Sequence, residues 1–402
     1  MADAGKNPWL TIVGIGEDGP SGLCEASRIA LEEAELVLGA ERHVGLLAPM
    51  DCPVRAWPRP FDAGIAALLE HRGKRVVALA SGDPFWFGAG SSLTRSLALE
   101  EWVAHPSPSS FALAASRLGW PVEQTACLAL HAAPMPRLRP HVAPGTRAIV
   151  LVRDGEGALE LGRCLTQWGF GASQLWVLEA LGGARERIRE TSAITLSYED
   201  IAHPVAVAVL FAGEGASLPR ASGIADHWFN HDGQITRRPI RALTLSSLAP
   251  RPGEMLWDIG SGSGSIAIEW LLAHPTTRAI GFEREAGRAA RAQGNAASLG
   301  VDRLAMVVGE APASLDGEPR PDVVFIGGGL SDALCDWLAA HLPAGTRLVA
   351  NAVTLESEAL LARWQSMRGG SLMRIELSEA EPLGSRRGWR AAYPIVQWSG
   401  VL

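Results

Sequence analysis

Short apolar runs alternate with amphipathic stretches along the whole chain. Runs of about four to eight residues bounded by turn residues are typical of buried strands, and apolar positions three or four apart between them are typical of helices. The predicted strands are Leu10–Ile15, Val76–Ala80, Ala148–Val152, Leu175–Leu178, Val205–Phe211, Met255–Ile259, Ala279–Phe282, Val323–Ile326 and Arg347–Ala350. Strands that alternate with helices in this way predict an α/β fold.

Two changes in composition predict the domain boundaries. Residues 213–235 are rich in Gly, Ser, Pro, Asp and His, which predicts a linker between a domain at 1–212 and a domain at 236–402. Within the first domain, a Pro/Ser cluster predicts a break near 106–112. We therefore expect the N-terminal domain to have two α/β lobes.

The chain has 402 residues, 36 basic and 43 acidic side chains and a net charge of −7. This charge disfavours nucleic-acid binding through a general attraction to phosphates. The longest apolar run, Val205–Ala212, is far shorter than the roughly 18 residues that cross a bilayer, and Met1–Pro8 lacks the apolar core of a signal peptide. We therefore expect a cytoplasmic protein that binds neither nucleic acid nor a membrane.

Two features of the composition bear on chemistry. The five cysteines are odd in number and have no C-x-x-C spacing, which predicts free, buried thiols and no metal site. Lys6 and Lys74 are the only lysines, so 34 of the 36 basic residues are arginine, and 14 tryptophans stand against 2 tyrosines. Codon preference explains this bias, and so does a large, flat ligand with many carboxylates. Composition leaves both explanations open.

The sharpest motif, MLWDIGSGSGSIAIE, begins at Met255 and predicts a strand, a glycine loop and a helix that starts near Ser265. A dinucleotide-binding loop would have its third glycine one position later, at Ser265. The pattern D-x-G-x-G-x-G suits S-adenosylmethionine better, because this ligand has no pyrophosphate and needs only a backbone that passes close beneath it. Glu283 follows the next predicted strand, where a carboxylate accepts both ribose hydroxyls.

The predicted S-adenosylmethionine site of this half consists of Gly260, Ser261, Gly262, Ser263, Gly264, Glu283 and Ala311. After the fourth strand, Gly327, Gly328 and Gly329 stand where an enzyme that methylates a base amine needs a polar and aromatic clamp. Three glycines leave space for a bulky planar acceptor, although a tight turn also explains one or two of them.

The N-terminal half contains TIVGIGEDG, which matches G-x-G-x-x-G after a predicted strand. Pro20, Ser21 and Gly22 follow at once, so a helix begins only after the glycines, and no helix N-terminus points into the loop as pyrophosphate binding requires. Further on, LASGDPFWFG predicts a strand that ends in a Gly-Asp-Pro turn, and Ser109 or Ser110 is the expected cap of the helix that follows.

In this order the motifs resemble those of the tetrapyrrole methylase family, which are G-x-G-P-G, S-G-D-P followed by aromatics, and a P-x-x-S or S-S segment before a helix. The first motif departs from the family pattern, because Glu17 and Asp18 replace the usual Pro-Gly. LALH, which ends at His131, and VLEALG are similar to the subfamily that acts late in corrin-ring synthesis. The resemblance implies S-adenosylmethionine in a cleft between two lobes, bound by Gly14, Gly16, Gly82, Asp83, Ser109 and Ser110.

The C-terminal half resembles the small class I methyltransferase that partners this subfamily. The segment QITRRPIR corresponds to the start of that domain and implies that Thr236 lies near the methionine end of the cofactor. The whole chain therefore resembles a fusion of a bilobed tetrapyrrole methylase fold and a Rossmann-like class I methyltransferase domain. Such a fusion implies a homo-oligomeric enzyme of cobalamin biosynthesis. It would use two S-adenosylmethionine molecules to methylate carbons 5 and 15 of a tetrapyrrole, and it would decarboxylate the ring C acetate.

The nucleophile of this reaction is a carbon of the substrate, so no catalytic side chain is assigned and no metal is expected. The candidates for substrate contact are His131, Gly327, Gly328, Gly329, Glu356, Arg386, Arg387 and Trp389. His131 could equally be a core or cap residue, the arginine pair could be solvated surface, and Glu356 could simply begin a helix. We interpret residues 384–389 as a flexible, basic and aromatic tail segment.

Two rival functions remain open from the sequence. In one, the N-terminal half is a non-catalytic binding module that delivers an RNA or a protein to a C-terminal methyltransferase. The acidic charge, the missing amine clamp at 327–329 and the absence of a dense basic stripe weigh against it. In the other, residues 14–19 bind a nicotinamide cofactor. The number of S-adenosylmethionine sites per chain and a test for NAD binding distinguish these two functions from that of a methyltransferase with two active halves.

Overall fold

The computed structural model describes residues 8–58 and 61–402. The chain divides into two compact units, of which the first comprises residues up to Met135 with His141–Ala216, and the second Pro136–Pro140 with Ser217–Leu402. Residues 1–7, on which the expectation of no signal peptide depends, lie outside the described residues. In the part of the chain that the structure describes, no helix is long and apolar enough to cross a membrane.

The first lobe of unit 1 is built on a parallel sheet with strand order β3-β2-β4-β1-β5. Its strands are β1 (Leu10–Ile15), β2 (Leu36–Gly39), β3 (Val54–Ala56), β4 (Val76–Ser81) and β5 (Trp102–His105). Its helices are α1 (Glu25–Glu32), α2 (Glu41–Val44), α3 (Phe61–Leu69) and α4 (Gly90–Thr94). Side chains of β1, β2 and β4 are buried on both faces of the sheet, as their continuous apolar runs require.

The second lobe of unit 1 has a mixed sheet with strand order β6-β7-β10-β8-β9. Its elements are α5 (Ser110–Leu118), β6 (Thr125–Ala129), β7 (Arg147–Leu151), α6 (Gly155–Gln167), β8 (Gln174–Glu179), β9 (Arg187–Ser192) and β10 (Val205–Leu210). Only β6 and β7 pair in parallel, and the other pairs are antiparallel. Helix α5 packs on this sheet, where Phe111 is buried among residues of β7, β8 and β10.

Unit 2 is a sheet with strand order β13-β12-β11-β14-β15-β19-β16, parallel except for β19, and a separate hairpin of β17 and β18. Its first elements are α7 (Arg238–Leu248), β11 (Met255–Ile259), α8 (Ser265–Ala273), β12 (Arg278–Glu283), α9 (Ala286–Ser298), β13 (Ala305–Val308) and β14 (Val323–Ile326). The remaining elements are α10 (Asp332–His341), β15 (Arg347–Ala352), α11 (Leu355–Arg368), β16 (Ser371–Ile375), β17 (Ser378–Leu383), β18 (Arg386–Ala391) and β19 (Ile395–Val401). Helices cover both faces of the sheet, which is the Rossmann-like arrangement expected from the sequence.

The predicted α/β class is confirmed, and each of the nine predicted strands is present with bounds that differ by two residues or fewer. The helix predicted near Ser265 begins at that residue. The cap predicted before α5 is Ser109, whose Oγ accepts a hydrogen bond from the backbone N–H of Ala112 at 3.1 Å. As predicted, α1 begins only after the first glycine motif, at Glu25.

The segment predicted as a linker, 213–235, has a different setting in the structure. Residues from Ser217 onward belong to unit 2, and the side chains of Ile224 and Phe229 are buried in its core. Gly, Ser and Pro make a segment irregular, but the burial of two apolar side chains still favours its packing on the core of unit 2.

Two expectations are corrected. Residues 384–389 are not a flexible tail, because Arg386, Arg387 and Trp389 lie on β18, which pairs with β17 along its whole length. The five cysteines are free as expected, but only Cys335 is buried, and Cys24 is exposed at the position before α1. The Sγ of Cys24 lies 3.2 Å from Ser27 Oγ in the first turn of α1, so this thiol has a polar contact instead of apolar surroundings.

Candidate functional site

A cavity of about 510 Å³ lies in unit 2 at the carboxyl ends of β11, β12 and β14. The strand order places β11 between β12 and β14. The chain runs from β11 outward to β12 and β13 and then returns across β11 to β14, so the direction of strand order reverses at this point. Open α/β sheets bind their ligands at such a switch point, outside the carboxyl ends of the strands. The glycine loop after β11 forms the floor of this cavity.

The glycines of this loop are required by two different constraints. A Cβ atom at Gly260 would lie 2.6 Å from the backbone nitrogen of Gly328, so the loops after β11 and β14 pass each other at a distance that only glycine allows. Gly262 has a φ of +58°, and a Cβ atom there would meet open space, with the Gly260 carbonyl oxygen 4.0 Å away. Gly262 therefore leaves the cavity floor bare.

Glu283 is buried at the end of β12 and its carboxylate shapes the loop. Oε2 accepts a hydrogen bond from the backbone N–H of Gly262 at 2.9 Å, and Oε1 accepts one from the N–H of Glu285 at 3.1 Å. Each oxygen keeps a second lone pair, so the carboxylate can also accept hydroxyl groups of a ligand in the cavity.

Asp258, at the end of β11, lies beneath the loop and is also buried. Its Oδ2 accepts hydrogen bonds from Ser261 Oγ at 3.0 Å and from the N–H of Ala267 at 3.2 Å. Its Oδ1 is buried without a hydrogen-bond partner among the described residues. Burial raises the pKa of Asp258 to about 6, against the lowering effect of the Ser261 and Ala267 hydrogen bonds, and the Glu283 charge adds to the rise.

The structure brings most of the predicted residues of this half together. The cavity is lined by Thr236, Gly260, Ser261, Gly262, Ser263, Glu283, Ala311, Gly327, Gly328 and Gly329. Gly264 does not line it, because it has a φ of +76° at the start of α8 and packs against Ala292. Glu356 is exposed in the first turn of α11, and Arg386, Arg387 and Trp389 are exposed on the hairpin, so none of these four lines the cavity.

Several lining residues were not named as site residues from the sequence, although Gln234 and Ile235 belong to the QITRRPIR segment. Gln234 and Ile235 lie in the segment that was expected to be a linker, and Asn351, Val353 and Ile395 come from β15, the residues after it and β19. A sequence signal existed for Asn351, a polar residue near the end of an apolar strand. The others reach the cavity only through tertiary packing.

A second cavity, of about 460 Å³, lies between the two lobes of unit 1. Three turns meet at its floor, after β1, after β4 and after β5. The N–H of Gly82 donates to the Ile15 carbonyl at 3.1 Å, the N–H of Ser107 donates to the Gly82 carbonyl at 3.1 Å, and Ser107 Oγ donates to the Gly14 carbonyl at 2.7 Å. These hydrogen bonds hold the motifs of the N-terminal half in one place.

Gly16, Gly82, Ser109, Ser110 and His131 line this cavity. Gly14 and Asp83 do not, because each supports a turn instead. A Cβ atom at Gly14 would lie 1.9 Å from the Gly82 carbonyl oxygen, and Asp83 Oδ1 accepts a hydrogen bond from the N–H of Phe85 at 2.9 Å.

A charged cluster in this cavity was not predicted from the sequence. The Arg42 guanidinium binds the Glu17 carboxylate, and its Nη2 donates to His43 Nε2 at 2.9 Å and to Ser81 Oγ at 2.8 Å. Glu17 is the departure from the family motif, and it also accepts a hydrogen bond from Arg185 at 3.1 Å. Burial, together with the Arg42 charge, lowers the pKa of His43 to about 4, so its ring is neutral at neutral pH and Nε2 accepts from Arg42.

Aromatic rings form another part of the same cavity. Trp57, Phe61, Trp86, Phe87 and Phe111 line it. The rings of Trp86 and Phe87 lie 5.1 and 5.8 Å from the ring of Phe111, and both side chains are partly exposed. Such a surface suits a flat, unsaturated ligand.

Comparison with known proteins supports the division into two parts. A family described as tetrapyrrole (corrin/porphyrin) methylases matches residues 9–196. A family described as a precorrin methyltransferase domain matches residues 227–402.

Three similar proteins span the chain to different extents. The precorrin-6Y C(5,15)-methyltransferase (decarboxylating) of Sinorhizobium sp is 48% identical over 398 residues, which cover 98% of this chain and 96% of that protein. The cobalt-precorrin-6B C(15)-methyltransferase (decarboxylating) of Salmonella typhimurium is 30% identical over 166 residues, 40% of this chain and 85% of that protein. The crystal structure of the C-terminal domain of precorrin-6Y C5,15-methyltransferase from Rhodobacter capsulatus has 52% identity, covers 46% of this chain and all of that domain, and has a TM-score of 0.45.

Proposed function

The chain belongs to the family of decarboxylating precorrin-6Y C(5,15)-methyltransferases, and from this membership we propose that each of its two units binds one S-adenosylmethionine and transfers one methyl group. The similarity to the Sinorhizobium relative over almost the whole length of both proteins carries this conclusion. The resemblance seen in the motifs is confirmed. The protein is a C-methyltransferase of cobalamin biosynthesis that methylates precorrin-6Y at carbons 5 and 15 and decarboxylates the ring C acetate, which gives precorrin-8X.

The geometry of unit 2 fits the proposed cofactor. S-adenosylmethionine supplies an electrophilic methyl group on a sulfonium. In unit 2, Glu283 would accept the ribose hydroxyls, and the bare backbone at Gly262 would allow the ligand to lie directly on the loop. Thr236 and Ala311, which line the same cavity, would border the methionine and adenine ends.

Unit 1 offers a second candidate site with different walls. Gly16, Gly82, Ser109 and Ser110 would contact the cofactor there, and the partly exposed rings of Trp86 and Phe87 would face a planar substrate. The neighbouring Arg42 is held by the carboxylate of Glu17, so its charge is already balanced before a substrate carboxylate arrives.

The chain's own contribution to the reaction is positioning and exclusion of water. A reduced tetrapyrrole has electron-rich bridge carbons, so it needs no nucleophile from the protein. Holding two reactants in line lowers the activation barrier, by about 7–11 kcal/mol in well-oriented reactions. A buried environment also favours loss of carbon dioxide, because it solvates the acetate poorly.

We assign methylation of carbon 15 and decarboxylation to unit 2, and methylation of carbon 5 to unit 1. The Salmonella relative supports placing these two activities in one unit, because its name describes C(15) methylation with decarboxylation and its match spans only 40% of this chain. The two activities therefore go together in a protein that corresponds to less than half of this one. The choice of unit 2 follows the family resemblance of the C-terminal half.

The test uses mass spectrometry of precorrin-6Y after incubation with the full chain and S-adenosylmethionine. A gain of two methyl groups and the loss of carbon dioxide support the proposal, and an unchanged substrate contradicts it. Calorimetric titration with S-adenosylhomocysteine counts the sites. Two sites per chain are expected, and one site would show that only one unit is active.

The rival with a non-catalytic N-terminal module is not favoured, because the similarity to a C(5,15)-methyltransferase covers both units. Absence of NAD binding in a parallel titration with NAD would exclude the nicotinamide alternative. The cytoplasmic location, the homo-oligomeric state and the lack of nucleic-acid binding stay predictions from the sequence.

A further inference from the structure

One wall of the unit 2 cavity is formed by a segment that has no strand and only one short 3-10 helix, Asp226–Trp228. We call residues 223–236 the strap. Its last residues, Gln234, Ile235 and Thr236, line the cavity directly before α7 begins. Because the strap has no strand partner, its position depends on side chains that bind its backbone.

A buried ion pair on α7 and α8 binds the strap. Arg241 on α7 is 0% exposed, and its Nε lies 2.5 Å from the Oε1 of Glu269 on α8, which is 5% exposed. Glu269 accepts hydrogen bonds from the backbone N–H groups of Gly223 at 2.6 Å and Ile224 at 2.9 Å. The carboxylate therefore holds the beginning of the strap.

Arg241 holds the strap at several further points. Its guanidinium donates to the backbone carbonyls of Ile224 and Thr236 and to Asp226 Oδ1 at 3.1 Å, and it stacks on the ring of Phe229 at 4.8 Å. Apart from Glu269, all of these groups belong to the strap. A planar fork with five N–H donors can satisfy such a set, whereas a single ammonium cannot.

Asn295 on α9 ties the middle of the strap to the glycine loop. Its Oδ1 accepts from the N–H of Asn230 at 2.8 Å, and its Nδ2 donates to the carbonyls of Asn230 and Ser263, each at 2.9 Å. The floor and this wall of the cavity are thus joined by one side chain. Contacts within the protein therefore hold this wall in place, and no ligand is needed to order it.

We propose that Arg241 is a positioning residue of the unit 2 cofactor site, which with Glu269 holds the strap as a preformed wall against S-adenosylmethionine. This inference rests on the proposed function of that cavity. A preformed wall removes the cost of ordering the segment when the cofactor binds. Loss of Arg241 therefore weakens cofactor binding more than it slows the chemical step.

The test compares Arg241→Met with Arg347→Met in the full chain. Arg347 makes a similar pair with Glu254, at 2.8 Å. This pair lies at the amino ends of β15 and β11, whereas the cavity lies at the carboxyl ends of the strands. Both variants lose a partly or fully buried Arg–Glu pair, and only the first loses contact with the strap. Urea unfolding of each variant measures the general loss of stability.

Calorimetric titration with S-adenosylhomocysteine is the primary readout. For Arg241→Met we expect one of the two sites to weaken about tenfold while the other is unchanged, and for Arg347→Met a change of less than about twofold at both sites. In methyl transfer, the KM for S-adenosylmethionine at carbon 15 rises about tenfold with kcat little changed, and methylation at carbon 5 continues at the wild-type rate.

Two further variants separate positioning from charge balance and from misfolding. Arg241→Lys keeps a positive charge beside Glu269 but loses the fork, so it should bind the cofactor as weakly as Arg241→Met. Asp226→Asn keeps an oxygen for Arg241 Nη1 but removes the negative charge of this contact at the partly exposed end of the network, and we expect it to fold and to weaken the site about threefold. If Arg241→Met does not fold, Asp226→Asn decides the question.

The proposal is overturned if Arg241→Met and Arg347→Met weaken the site equally, if Arg241→Lys restores wild-type binding, or if Asp226→Asn binds as wild type. It is also overturned if kcat falls while binding is unchanged. A wild-type protein that does not methylate carbon 15 refutes the proposed function instead, and the binding comparison still reports on the strap.

Discussion

Replacing Asp258 by asparagine is expected to remove a pH dependence from the stability of unit 2. The carboxylate is buried beneath the glycine loop, and Oδ1 has no hydrogen-bond partner within the described residues. Burial raises the pKa of Asp258 to about 6, so the folded protein favours the protonated form. Asparagine has nearly the same shape and still offers an oxygen to Ser261 Oγ and the Ala267 N–H, but it does not ionise.

The magnitude follows from the two pKa values. An aspartate in the unfolded chain has a pKa near 3.9, and the difference from about 6 in the folded protein corresponds to about 3 kcal/mol at about 1.4 kcal/mol per pH unit. Because the folded pKa is the higher one, the stability is fully present below about pH 4 and is lost as the pH rises through 6. The difference in unfolding free energy between wild type and Asp258→Asn should therefore fall by about 2 kcal/mol from pH 4 to pH 8.

Pulse proteolysis in urea measures this difference, with peptides of unit 2 identified by mass spectrometry so that the unfolding of unit 1 is read separately. Asp322→Asn is the matched control, since it removes an exposed carboxylate that lies just before β14 and accepts a hydrogen bond from the backbone N–H of Met255 at the start of β11. The control reports what the loss of any carboxylate does to unit 2. A difference that stays constant within about 0.5 kcal/mol from pH 4 to pH 8 would refute the reasoning, because Asp258 would then not be protonated in the folded protein.

Other substitutions test the two cavities separately. Gly262→Arg places a long side chain in the unit 2 cavity, so we expect mass spectrometry to show one added methyl group and no loss of carbon dioxide. Gly253→Arg is its control, because this glycine also has a positive φ (+84°) and open space around it. It shares the backbone cost of roughly 1–2 kcal/mol for a non-glycine residue in a left-handed conformation, and full activity is expected. If both variants lose the same activity, the effect is on folding. Gly82→Val forces a Cβ atom to within 2.9 Å of the Pro108 carbonyl oxygen. Methylation at carbon 5 should therefore be lost, while methylation at carbon 15 and decarboxylation continue. Retained methylation at both carbons would exclude a role for this turn. Glu283→Gln keeps the size of the side chain but removes its charge, and we expect the KM for S-adenosylmethionine at carbon 15 to rise about tenfold, with an unchanged KM as the contrary result.

The sequence by itself determined the local elements and the glycine motifs. Buried strands such as β1, β11 and β14 are predominantly apolar runs, and their bounds follow from the residues alone. The loop after β11 and the cap of α5 are equally local, because glycine permits a positive φ and a serine caps a helix through its own side chain. The motif that we propose to bind the cofactor in unit 2 could be recognised for this reason.

Tertiary structure decided which of these residues share a cavity and what encloses them. Gly14 and Gly82 both belong to motifs, but only the approach of the two backbones explains why Gly14 supports the floor and Gly82 lines the cavity. The strap has the composition of a linker, yet a glutamate 46 residues beyond Gly223 and an arginine on another helix fix its path. Such contacts carry no sequence pattern, because each depends on a single pair of residues that are brought together only when the sheet has formed.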